Sequence, residues 1–127
     1  MWFDLVDEDN HDIAIVSYGP IIDRIAEEIK DVNIYNAIYQ KPIAPDLIKV
    51  LLKHQAIIIH DAYATSVGFA NLMLNQLNEA NYKGIIKILA IPDIFIKQAT
   101  IKEQMEECGV DVISVKNLVN RLKTSLK

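Results

Sequence analysis

Four short apolar runs, each followed by a stretch with helical periodicity, constrain this chain more than any other feature. Ile13–Val16, Val32–Tyr39, Ala56–Ile59 and Ile85–Ala90 are rich in β-branched residues and read as strands. Ala56–Ile59 (AIII) contains no polar residue, as expected of a strand covered on both faces. Between the runs, Ile21, Ile22, Ile25, Ala26 and Ile29 recur at helical spacing, and Pro20 after Gly19 suits a first helical position. Pro45 can open a second helix, with Leu47, Ile48, Leu51 and Leu52 as its buried stripe, and Val67–Leu77 reads as a third. Thr100 to Glu103 has the form of a capping box for a helix that stops at Gly109. Val110–Ile113 has the composition of a short fifth strand. Ser114 then caps a last helix carrying Val115, Leu118, Val119, Leu122 and Leu126 on one face. Strand alternating with helix predicts a three-layer α/β fold: a mostly parallel open sheet of about five strands with helices on both faces.

The chain has 127 residues, 51% of them apolar and 24% charged, which fits one domain with a core of its own. Residues 1–12 are predominantly acidic and polar (Asp4, Asp7, Glu8, Asp9, Asn10, Asp12) and read as an arm or linker that docks on something. The domain proper is residues 13–127. Thirteen Lys plus Arg against 17 Asp plus Glu leave a net charge of −4, so no nucleic-acid footprint is expected. The least charged stretch, Ala62 to Asn78, carries Thr65, Ser66, Asn71, Asn75 and Gln76 and makes a poor membrane span. The acidic start lacks the basic and apolar regions of a signal peptide, and the expectation is a reduced, cytoplasmic domain.

In an open parallel sheet, ligands and partners meet the carboxyl ends of the strands. Those ends are Ser17-Tyr18-Gly19, Tyr39-Gln40-Lys41, His60-Asp61 and Pro92-Asp93. They share one rim if the strands are parallel. His60-Asp61 is the most suggestive pair, since a histidine beside a carboxylate can exchange protons near neutral pH. Neighbours in an extended segment point to opposite sides, however, so the two need not form a dyad. The preferred reading is a His and an Asp that close a strand and bind loop backbone. Lys41, held near an extended conformation by Pro42, is placed to reach across the rim toward Asp61.

Other chemistries find little support. Cys108 follows Glu106 and Glu107 in the last turn of a predicted helix, where a thiolate is disfavoured, so it reads as structural. His11, His54 and His60 lack metal-site spacing, and neither GxGxxG nor GxxxxGK occurs. A phospho-receiver domain shares this strand–helix order, with Asp61 as acceptor. It requires an acidic pair after the first strand, where this chain has Ser17 and Tyr18.

The order of motifs resembles the C-terminal domain of the transketolase-like thiamine diphosphate enzymes. Ile13–Gly19 (IAIVSYG) is similar to that domain's first strand, and Tyr39–Asp46 (YQKPIAPD) to its Lys-Pro-Leu-Asp segment, with Lys41 and Pro42 matching. Ile57–Asp61 (IIIHD) falls where the family has an apolar strand followed by two acidic residues or His-Glu. Tyr63–Phe69 (YATSVGF) stands at the glycine-rich turn into the next helix. Ile91–Ile96 (IPDIFI), Thr100, Glu103 and Glu107–Asp111 (ECGVD) resemble the close of the 1-deoxy-D-xylulose 5-phosphate synthases. The chain departs from the pattern at Ile38, Ala44, His60, Ser66 and Val67.

The resemblance implies that thiamine diphosphate and Mg²⁺ are held by an N-terminal and a middle domain of a parent enzyme, and that this chain binds neither. It implies a fragment, inactive alone, that supports catalysis by packing against those domains and by forming a homodimer. The parent would join pyruvate to glyceraldehyde 3-phosphate with loss of carbon dioxide. Tyr18, Lys41, His60, Asp61 and Tyr63 would then be rim residues facing the neighbouring domains. The alternative is a free-standing α/β interaction or regulatory module.

Overall fold

The computed structural model describes residues 3–6, 12–19, 21–29, 32–37, 45–61, 69–90 and 112–126. The elements run β1 (Phe3–Val6), β2 (Ile13–Ser17), α1 (Ile21–Glu28), β3 (Asn33–Asn36), α2 (Pro45–Leu51), β4 (Ala56–Asp61), α3 (Phe69–Glu79), β5 (Ile85–Ala90) and α4 (Val112–Leu126). The five strands form one sheet in the order β1-β3-β2-β4-β5. The β3–β2, β2–β4 and β4–β5 pairs are parallel, and β1 alone runs antiparallel, against β3.

Alternation along the strands sends side chains to two separate cores. Ile13 and Ile15 of β2, with Ala56 and Ile58 of β4, pack beneath α1 (Ile22, Ile25) and α4 (Val115, Val119, Leu122). Ala14, Val16, Ile57 and Ile59 face the other way, onto Leu47 and Leu51 of α2 and Met73 and Leu77 of α3. These are the two helical layers expected of a sheet whose central strands are apolar throughout. The strand order also explains the layering. From β2 the chain moves outward to β3, then crosses back past β2 to β4 and on to β5. Right-handed crossovers in opposite directions place α1 on one face and α2 and α3 on the other. The reversal of direction falls between β2 and β4.

Several local expectations are corrected. The acidic arm includes a strand: Phe3–Val6 closes the sheet edge beside β3, with a register irregularity between Asp4 and Val6. Val112 and Ile113 open a helix instead of ending a fifth strand. Val112, Val115, Val119 and Leu122 are all buried at helical spacing, whereas Ile113 is 70% exposed. Ser114 therefore sits within the first turn of α4 and does not cap it. The second strand is shorter than Val32–Tyr39, ending at Asn36, although Ala37 still donates its backbone N–H to Ser17 O at 2.8 Å. Helix α3 runs past Leu77 to Glu79. It is ended by Asn81 at φ 62°, which lets Tyr82 N–H return to Leu77 O at 3.1 Å. Lys41, Tyr63, Pro92-Asp93, the predicted helix after Thr100 and Cys108 lie outside the described residues.

Candidate functional site

The two central strands pair with a constant offset, Ile13 with Ala56, Ala14 with Ile57, Ile15 with Ile58 and Val16 with Ile59. Continuing that register one residue sets Ser17 beside His60, and one more sets Tyr18 beside Asp61. Both steps carry a side-chain hydrogen bond. Ser17 Oγ and His60 Nδ1 are 2.8 Å apart, and the Tyr18 hydroxyl donates to Asp61 Oδ1 at 2.9 Å. The same offset recurs at the amino end, where Gln55 Nε2 donates to Asp12 Oδ1 at 3.1 Å and Ala56 N to Asp12 O at 2.9 Å.

Ser17, His60 and Asp61 are fully buried, and Tyr18 is half-buried. Burying such groups without partners costs on the order of 1–3 kcal/mol each, so these bonds decide whether the rim can close. Alternation puts the two pairs on opposite faces of the sheet. Ser17–His60 lies on the side of Ile15 and Ile58, under α1 and α4. Tyr18–Asp61 lies on the side of Val16 and Ile59, where Tyr18 packs against the α2–α3 core.

That separation limits the chemistry. A serine bonded to a histidine has the outline of a nucleophile and its base. Catalysis by such a pair needs access to substrate and a third group to orient the imidazole. Ser17 and His60 have no exposed surface, and Asp61 leaves β4 on the opposite face to serve Tyr18. The arrangement locks two strand ends together.

Tyr18, His60 and Asp61 sit together at the carboxyl ends of β2 and β4, where the strand order reverses, while Lys41 and Tyr63 lie outside the described residues. Ser17 was not singled out by sequence reasoning as His60's partner. A usable signal was there, because Ser17 and His60 each follow a four-residue apolar run, Ile13–Val16 and Ala56–Ile59.

A second buried polar group sits at the opposite end of the sheet. Asn33 Nδ2 donates to His54 Nε2 at 2.8 Å, which leaves Nδ1 to donate to the α2 carbonyls of Val50 (3.2 Å) and Leu51 (3.4 Å). The Tyr35 ring meets His54 edge-on at 5.9 Å. The Tyr82 hydroxyl donates to His54 O at 2.8 Å, and burial raises the Tyr82 phenol above its ordinary pKa. His54 thus caps the end of α2.

Among the described residues, no group of three or more His, Cys, Asp or Glu could hold a metal ion. Asp61, the carboxylate on the rim, is buried and occupied by Tyr18. These residues do not fit a metal-bound diphosphate. No helix among the described residues is long and apolar enough to cross a membrane.

The described strands form an open α/β sheet, parallel but for one edge strand, with buried polar pairs at both of its ends. Residues 5–115 match the family model described as the transketolase C-terminal domain. The chain belongs to that family. Curated relatives include the 1-deoxy-D-xylulose-5-phosphate synthase of Parabacteroides distasonis, 30% identical over 115 residues, covering 84% of this chain and 18% of the relative. The synthase of Porphyromonas gingivalis is 27% identical over 118 residues, 87% of this chain and 19% of the relative. That of Thermotoga maritima is 27% identical over 99 residues, 77% of this chain and 16% of the relative. This chain therefore spans less than a fifth of these relatives. A solved split-gene transketolase, described as an inactive beta4 tetramer, superposes with a TM-score of 0.76 over 98% of this chain and 42% of its own, at 17% identity. That likeness shows the shared fold.

Proposed function

We propose that this chain is the C-terminal domain of a transketolase-like thiamine diphosphate enzyme of the 1-deoxy-D-xylulose-5-phosphate synthase kind. The observation that carries the reading is the 30% identity to one such synthase across 84% of this chain. The parent would act in the cytoplasm, joining pyruvate to glyceraldehyde 3-phosphate with loss of carbon dioxide. Thiamine diphosphate and Mg²⁺ would be held by its N-terminal and middle domains, as the family membership of this chain implies.

In this reading the chain contributes by packing. The strand ends at Tyr18, His60 and Asp61, with Lys41 and Tyr63, form the rim that faces the thiamine-binding domains, and a second copy completes a homodimer. Burial of Ser17, His60 and Asp61, with the Ser17–His60 and Tyr18–Asp61 hydrogen bonds, supports a rim whose strand ends are tied together. The split-gene transketolase is a precedent for a transketolase divided between genes.

The test is co-expression of this chain with the thiamine-binding domains encoded in its own genome, followed by native mass spectrometry. A stable complex that releases carbon dioxide from pyruvate when glyceraldehyde 3-phosphate is supplied supports the proposal. Full synthase activity without this chain, and no complex with it, would assign it to a free-standing interaction module instead.

A further inference from the structure

We draw no further inference here: the strongest candidate, the open groove of about 610 Å³ between β5 and α4 lined by Leu89, Ser114, Asn117, Leu118, Asn120 and Arg121, carries nothing because nothing in the structure shows what covers it.

Discussion

Tyr18 donates its hydroxyl to Asp61 Oδ1 at 2.9 Å, two register steps beyond Val16 and Ile59, the last residues that β2 and β4 pair with each other. The bond extends the pairing of the two central strands into the turn where Gly19, at φ 88°, redirects the chain toward α1. It also supplies a donor to a carboxylate with no exposed surface.

Removing that donor should be costly. Tyr18→Phe is expected to lower stability by about 1.5–3 kcal/mol, the range for a hydrogen bond to a buried charged group. Urea unfolding measures it. A double-mutant cycle with Asp61→Asn should return a coupling of about 0.5–3 kcal/mol. Additive single effects would mean that the two side chains do not act as a pair.

The Ser17–His60 bond predicts a similar coupling on the other face of the sheet. Ser17→Ala strands His60 Nδ1 in a buried site and should cost on the order of 1–3 kcal/mol. Near-neutral unfolding free energies for Ser17→Ala would show that the bond contributes nothing to the strand ends.

Tyr82 predicts a pH effect whose sign follows from burial. Its folded pKa lies above the unfolded value of 10.0, so the folded state holds the phenolic proton more tightly. The associated stability is present in full below that value and is lost as the pH rises through the folded pKa. Tyr82→Phe should therefore unfold with a shallower decline above pH 10 than the parent chain. Parallel pH profiles of the two proteins would contradict this.

Gly84 predicts a steric effect beside the same tyrosine. A Cβ there would collide with the Tyr82 hydroxyl and come within 2.5 Å of Gln55 O, the carbonyl that accepts Ile85 N–H at 3.0 Å. Gly84→Ala should cost roughly 1–3 kcal/mol, the range for overpacking. Thermal unfolding unchanged from the parent would show that β5 can shift without loss.

The sequence carried most of this architecture but not its edges. Ala56–Ile59 and Ile13–Val16 declare themselves as central strands because burial on both faces demands uninterrupted apolar runs. Phe3–Val6 does not, because a four-residue edge strand is selected by the open side of β3 and is surrounded by acidic residues that suggest an arm. Val110–Ile113 misleads for another reason, since so short an apolar run cannot distinguish a strand from a helix start. The α4 assignment itself can be checked. Ile113→Ala, at an exposed position, should change stability by less than about 0.5 kcal/mol. Leu122→Ala, at a buried one, should cost about 2–5 kcal/mol.

At the candidate site, the sequence alone marks Tyr18, His60 and Asp61 as residues that follow strands. Their pairing was not, because it depends on the register between β2 and β4, which equal run lengths suggest without requiring. The His54–Asn33 pair was hidden more completely. Nothing in the spacing of those residues reveals that the end of α2 and the start of β3 meet.

The proposed function requires that this domain pack within a thiamine diphosphate enzyme without holding the cofactor itself. Calorimetric titration of the isolated chain with thiamine diphosphate and Mg²⁺ tests it most directly. No heat attributable to binding tighter than about 10 μM, or roughly −7 kcal/mol, is expected. Stoichiometric binding below that concentration would contradict it, because the chain would then hold a cofactor site of its own.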